Sequence, residues 1–206
     1  MYAGLMPKVE PYQPVRICIG LTIAPIERSR NAMRLQLETF NNKRFRAISE
    51  IVNWRNFFKC DGEYHDVMGA EIALLPPRED LMVYVCNLAD GWISVYENVI
   101  KANAFDAFFF RTTLSEAAEY KVFGMTAWRR GILTRQVRLL QEEKGWGFLN
   151  KGDPLPFEDA ERYKERKIER RLDRKLIESY SESVGYGIGS VTSFNDQCTL
   201  FRRSNQ

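Results

Sequence analysis

Two hydrophobic periods alternate along this chain, and the points where one gives way to the other mark its elements. Val15 to Ile23 alternates apolar with small or polar residues, the period of two expected of a strand with one buried face. Pro25 then opens a helix in which Ala32, Met33, Leu35, Leu37 and Phe40 spread over a broad apolar face, and Asn41-Asn42 ends it. Arg28, Arg30 and Arg34 fill much of the opposite side, which reads as solvated. Phe45, Ile48, Ile51, Val52 and Trp54 fit either period, and a strand is favoured within residues 44–60.

A short apolar run from Ala70 to Leu75 ends at Pro76-Pro77, and a second runs from Leu81 to Leu88 after a charged turn, so the two read as neighbouring antiparallel strands. Asp90-Gly91 starts another turn, followed by a strand over Trp92 to Tyr96. The middle of the chain is the most strand-like: Phe105 to Thr113, Tyr120 to Arg129, Ile132 to Gln141 and Trp146 to Leu149, with turns at Arg130-Gly131 and Lys144-Gly145. Such close spacing predicts an antiparallel meander. In its third strand Leu133, Arg135, Val137 and Leu139 share one face and Thr134, Gln136 and Arg138 the other.

Asp159 to Val184 reads as one long charged helix, with Ile168, Leu172, Leu176, Tyr180 and Val184 recurring every fourth residue as an apolar stripe. Gly185, Gly187 and Gly189 follow, and the alternating tail from Ser190 suggests a strand at the sheet edge. The expected fold class is therefore α+β: an antiparallel sheet packed by an N-terminal helix and a long C-terminal charged helix. Residues 1–206 read as one domain, and any sub-boundary would fall near 76–80.

Composition narrows the class further. With 206 residues, 45% hydrophobic and 28% charged, the chain is long enough to bury roughly 70% of its unfolded surface. Its net charge of +3 is too small to imply a polyanionic partner by itself. Cys18, Cys60, Cys86 and Cys198 lack metal-ligand spacing and read as reduced, mostly buried thiols. No metal or cofactor is expected. The N-terminus lacks the pattern of a signal peptide, and no stretch reaches the ~20 apolar residues of a membrane helix, so a cytoplasmic protein with no membrane partner is expected.

No nucleotide-binding, zinc-protease or serine-hydrolase motif occurs, and one histidine leaves little room for histidine-based catalysis. His65, between Glu63 and Asp66, could in principle be a tuned general base, but a histidine in a surface loop is the simpler reading. Glu142-Glu143 fits a solvated hairpin turn, and Glu158-Asp159 fits carboxylates at a helix start. Arg162, Arg166, Arg170 and Arg174 are candidate partner-binding residues. The acids Glu161, Glu165, Glu169 and Asp173 recur beside them, which disfavours a phosphate backbone as the partner. In Phe108-Phe109-Phe110 the alternation forces a ring to each sheet face, and Phe109 is the candidate aromatic contact.

Asp90-Gly91-Trp92, Trp146-Gly147-Phe148, Pro154-Leu155-Pro156-Phe157-Glu158 and the charged segment Tyr163 to Tyr180 together resemble bacterial toxin immunity proteins, over roughly residues 80–185. The resemblance implies a small cytoplasmic α+β domain that binds a cognate secreted toxin or effector, and it supplies no catalytic residue. A non-enzymatic protein-binding module is thus the expected function. The alternatives are a nucleic-acid-binding protein using residues 161–175 and an enzyme with an unfamiliar carboxylate-based site.

Overall fold

The computed structural model describes residues 16–40, 45–58, 70–88, 90–116 and 118–203. Its strands are β1 (Arg16–Ile23), β2 (Phe45–Ile51), β3 (Glu71–Arg78), β4 (Leu81–Cys86), β5 (Asp106–Thr113), β6 (Val122–Arg129), β7 (Ile132–Glu142), β8 (Gly145–Lys151) and β9 (Gln197–Arg203). Its helices are α1 (Ile26–Phe40), the single turn α2 (Trp54–Phe57), α3 (Ile93–Asn103) and α4 (Arg174–Ser183). The strands pair antiparallel in the order β2-β9-β3-β4-β1-β5-β6-β7-β8, an α+β arrangement in which β5 to β8 form the expected meander.

Strand β1 is central, and its alternation separates two cores. Ile17, Ile19 and Leu21 join the layer beneath α4 and the chain from residue 152 onward, whereas Cys18 joins the layer beneath α1 and α3. Gly20 faces the second layer because the Tyr96 ring lies where its Cβ would be. That ring is fully buried, and its hydroxyl lies 2.9 Å from Thr22 Oγ1 and donates to the Phe108 carbonyl at 3.3 Å. Arg28 of α1 also serves packing: its guanidinium lies 4.8 Å over Phe105 and donates to the Asn103 carbonyl at 3.1 Å.

The β6-β7 hairpin turns through Arg130 and Gly131, both at positive φ (50° and 76°), as a two-residue hairpin with right-handed strand twist requires. The register then slips between Ala127 and Trp128. Arg135 pairs with Ala127, but Leu133 pairs with Trp128, and Thr134 is left as the extra residue. This bulge moves Leu133 off the face it was expected to share with Arg135.

Three expectations are corrected. Trp92 to Tyr96 is no strand: Val95, Tyr96, Val99 and Ile100 are the buried residues of α3, a helical spacing that a five-residue window conceals. The charged helix from Asp159 to Val184 is broken into short 3₁₀ turns at Arg162–Lys164 and Ile168–Arg170, and only α4 is α-helical. A strict four-residue repeat drifts about 40° per step around a 3.6-residue helix, so the stripe cannot keep one face of a straight helix over four steps. Asp173 restarts the chain by accepting from Leu176 N at 2.8 Å as the α4 N-cap. Lastly, β9 is no edge strand; it inserts between β2 and β3.

The side chains of Cys18, Cys86 and Cys198 are buried, as read from the sequence. Burial raises them to about 11, 12 and 11 respectively, so at neutral pH they pack as small apolar groups. Cys60 lies outside the described residues.

Replacing Gly20 by Ala is expected to destabilise the fold by about 1–3 kcal/mol, because the new methyl overlaps a ring enclosed on every side. Equilibrium urea denaturation measures this, and a change within 0.5 kcal/mol, on the order of a neutral surface substitution, would contradict the packing described.

Candidate functional site

Arg135 is the one charged residue among the described residues that is buried as a whole, 1% exposed, on the apolar face of β7. Its carboxylate partner Glu158, with a side chain 0% exposed, lies in the segment that leaves β8. Arg135 Nη2 and Nε donate to Glu158 Oε2 and Oε1 at 2.6 and 2.8 Å, the two-pronged geometry that a planar guanidinium favours. Its Nη1 donates to Asn150 Oδ1 (2.6 Å) and to the carbonyls of Gly152 (2.8 Å) and Lys151 (3.1 Å).

Glu158 is equally occupied. It accepts from Leu155 N at 2.8 Å, which closes the Pro154-Leu155-Pro156-Phe157 loop, and from the Tyr163 hydroxyl at 2.7 Å. The Tyr163 and Tyr180 hydroxyls are 3.0 Å apart, and Tyr180 accepts from Asp159 N at 2.8 Å. Tyr163 has one proton and gives it to Glu158, so Tyr180 supplies the proton between the two rings. The cluster therefore joins β7, the end of β8, the loop and α4. Gly152, at φ 82°, makes this approach feasible because a Cβ there would strike the Thr134 carbonyl.

Burial opposes the charge on Arg135, but hydrogen bonds and charge from Glu158 offset it and hold its pKa above the ordinary value. Burial raises Tyr163 strongly, helped by its bonds to Tyr180 and Glu158. These groups are turned inward and fully partnered, an arrangement suited to fastening chain segments. Neither Glu158 nor Asp159 starts an α-helix, which corrects their expected capping role: Glu158 is committed to Arg135, and Asp159 accepts from Arg162 N at 3.2 Å ahead of a 3₁₀ turn.

Beside the cluster lies a groove of about 600 Å³. Phe108, Ala127 and Arg135 form one row across β5, β6 and β7, and Pro154, Leu155 and Pro156 form the facing wall. Ile23 lines the groove and is 47% exposed; Ile132, paired with the lining residue Arg129, is 69% exposed. Asp106, Arg129 and Asp153 supply the polar rim. A second cleft of about 450 Å³ sets Arg16, Arg111 and Arg138 among Asp90, Glu142 and Glu143, so opposite charges offset one another and no strong field of either sign results.

The expected partner-binding residues separate. Arg162 pairs with Asp173 and donates to the Arg170 carbonyl, and Arg174 pairs with Glu178 at 2.7 Å, so both serve the local fold. Arg166 and Arg170 are exposed. Phe109 is 1% exposed and packs 5.6 Å from the Tyr96 ring; alternation turned it toward α3, which corrects its candidacy as a surface contact. Phe108, on the opposite face, is the half-buried ring that lines the groove. Glu142 and Glu143 are exposed at the β7-β8 turn. Glu63, His65 and Asp66 lie outside the described residues.

Sequence reading missed the roles of Arg135 and Glu158, although one signal was present: a charged residue placed among Leu133, Val137 and Leu139 demands a buried partner. Among the described residues no group of three or more His, Cys, Asp or Glu comes together as metal ligands, and no helix is long and apolar enough to cross a membrane.

Tyrosine ionisation gives a pH test. Burial raises Tyr163, Tyr84 and Tyr96, whereas an unfolded tyrosine releases its proton near pH ~10. Above that pH the unfolded chain binds fewer protons than the folded one, so stability is complete below pH ~10 and falls as pH rises, with a slope of up to roughly 1.4 kcal/mol per pH unit for each such tyrosine. Denaturation followed by tyrosinate absorbance should show the buried rings ionising only on unfolding. Stability unchanged between pH ~9 and ~11 would contradict their burial. Family models, curated proteins and solved structures all return no match to this chain.

Proposed function

We propose that this chain is a non-enzymatic protein-binding module, an immunity protein that neutralises a cognate bacterial toxin by direct binding. The observation that carries the reading is the groove: exposed Ile23 and half-buried Phe108 and Leu155 stand beside a loop whose shape is fixed from beneath by Glu158. Preformed apolar pockets with a polar rim are the places where partner side chains anchor, because little ordering entropy is lost on binding. Arg166 and Arg170 are exposed on the segment covering the same sheet face. The partner that fits is a protein with an apolar anchor for the groove and acidic residues around it. The arginines steer its approach and the groove holds it.

Co-expression with the product of the adjacent gene, followed by growth rescue and by binding kinetics on the purified pair, is the test. Ile23→Asp and Ile132→Asp, at exposed positions, are expected to leave folding intact and each to weaken the complex by about tenfold or more through faster dissociation. Arg166→Glu with Arg170→Glu should slow association, most strongly at low salt. Absence of both complex and rescue sinks the proposal; rescue that survives both isoleucine substitutions places the contact elsewhere.

A further inference from the structure

The sheet ends in two edges, and the edge at β2 is unusual in its residues. It is the terminal strand of the order, and among the described residues nothing pairs with its outer side. Five of its seven residues are exposed, including Ile48 (36%) and Ile51 (57%). Exposed apolar residues on an open edge are what soluble proteins generally avoid, because the free N–H and C=O groups template pairing with another strand.

The order of residues in Phe45-Arg46-Ala47-Ile48-Ser49-Glu50-Ile51 suggests which strand that is. Set antiparallel to a second copy of itself about Ile48, β2 places Ile48 against Ile48, Ala47 against Ser49, Phe45 against Ile51, and Arg46 against Glu50 twice. Moving the centre to Ser49 sets Ile48 against Glu50, and moving it to Ala47 sets Arg46 against Ile48, so the charges meet in only one of these three registers. Within the chain Arg46 lies directly opposite Arg202 on β9. Arg202 is bound to Glu50 at 2.8 Å and to Glu71 at 2.6 Å. Like charges facing each other across strands are unfavourable, and the Glu50 of a second copy offers Arg46 a carboxylate directly opposite.

We infer that β2 is a homodimer interface, in which two copies join their sheets edge to edge across a two-fold axis at Ile48. The contact is isologous: each copy gives the same strand and receives the same strand, so the assembly closes at two. Backbone hydrogen bonds provide the attraction, as in β-strand addition generally, and the Arg46–Glu50 pairs fix the register. The interface lies at the far end of the sheet from β7 and β8 and leaves the groove open.

Sedimentation velocity over a range of micromolar concentrations tests this, with circular dichroism to check folding. The native chain should reach a dimer. Arg46→Glu and Glu50→Arg should each be monomeric, weakened at least tenfold, because each sets like charges opposite each other at both pairs. Mixing the two variants should restore a heterodimer, since one then carries carboxylates at both positions and the other guanidiniums, and each pair across the axis joins opposite charges. Glu50 also binds Arg202, so if Glu50→Arg fails to fold, Ile48→Lys serves instead, bringing two ammonium groups together at the axis. A native chain monomeric throughout overturns the inference. So does a dimer that persists in Arg46→Glu or Ile48→Lys, or two folded monomeric charge variants that do not combine.

Discussion

The bond between Arg135 and Glu158 is the constraint on which the rest of this architecture depends. A guanidinium and a carboxylate taken fully out of water carry a desolvation cost that only complete partnering offsets. Here the partners come from four places: β7, the end of β8, the turn after it, and the two tyrosines that reach into α4. The pair therefore specifies as much as it stabilises. The residues from 152 to 163 contain only a 3₁₀ turn of regular structure and few large apolar side chains. Docked on the carboxylate of Glu158, they close one face of the sheet and leave a groove of defined width beside it.

That arrangement divides the molecule by role. The face under α1 and α3 is apolar packing, with Tyr96 seated on Gly20 and Arg28 spanning α1 and α3. The opposite face is covered by α4 and by irregular chain, held by the apolar packing of Leu172, Ile177, Ile188 and Val191 and by the polar cluster around Glu158, and there Ile23, Phe108 and Leu155 remain accessible in a groove. Irregular cover can present side chains at angles that a helix cannot, which suits recognition of one partner surface, and a loop rigid before binding loses little entropy on contact. The self-pairing inferred for the β2 edge lies at the far end of the sheet and is independent of the binding proposed for the groove.

Much of the fold was legible in the sequence because period-two patterns carry their own register. β1, α1, the β3-β4 pair and the whole β5 to β8 meander follow from alternation and turn residues, and Arg130-Gly131 marks its hairpin by the positive φ angles it adopts. The misreadings have physical causes. A window ending at Tyr96 is too short to separate helix from strand, whereas Val99 and Ile100 decide it. The repeat Ile168, Leu172, Leu176, Tyr180 looks like a stripe, but its four-residue step does not match the helical turn. The candidate site was less legible. Arg135 stood visibly among apolar neighbours on β7, but its partner lies 23 positions away in the chain, and nothing local tells a buried glutamate at a loop's end from a helix cap. Phe108 and Phe109 differ only in parity, and parity has functional meaning only once the cover of each face is known.

A double-mutant cycle on Arg135→Met and Glu158→Gln measures the central interaction directly. Each single change leaves a buried polar group without its partner and should cost roughly 3–5 kcal/mol in urea denaturation. The double change removes both charges together and should cost less than the sum of the singles by at least about 2 kcal/mol, a coupling expected for groups in direct contact. Strict additivity, with the loop and groove unchanged in every variant, would show that the segment from Gly152 to Tyr163 is held in place by something other than this pair.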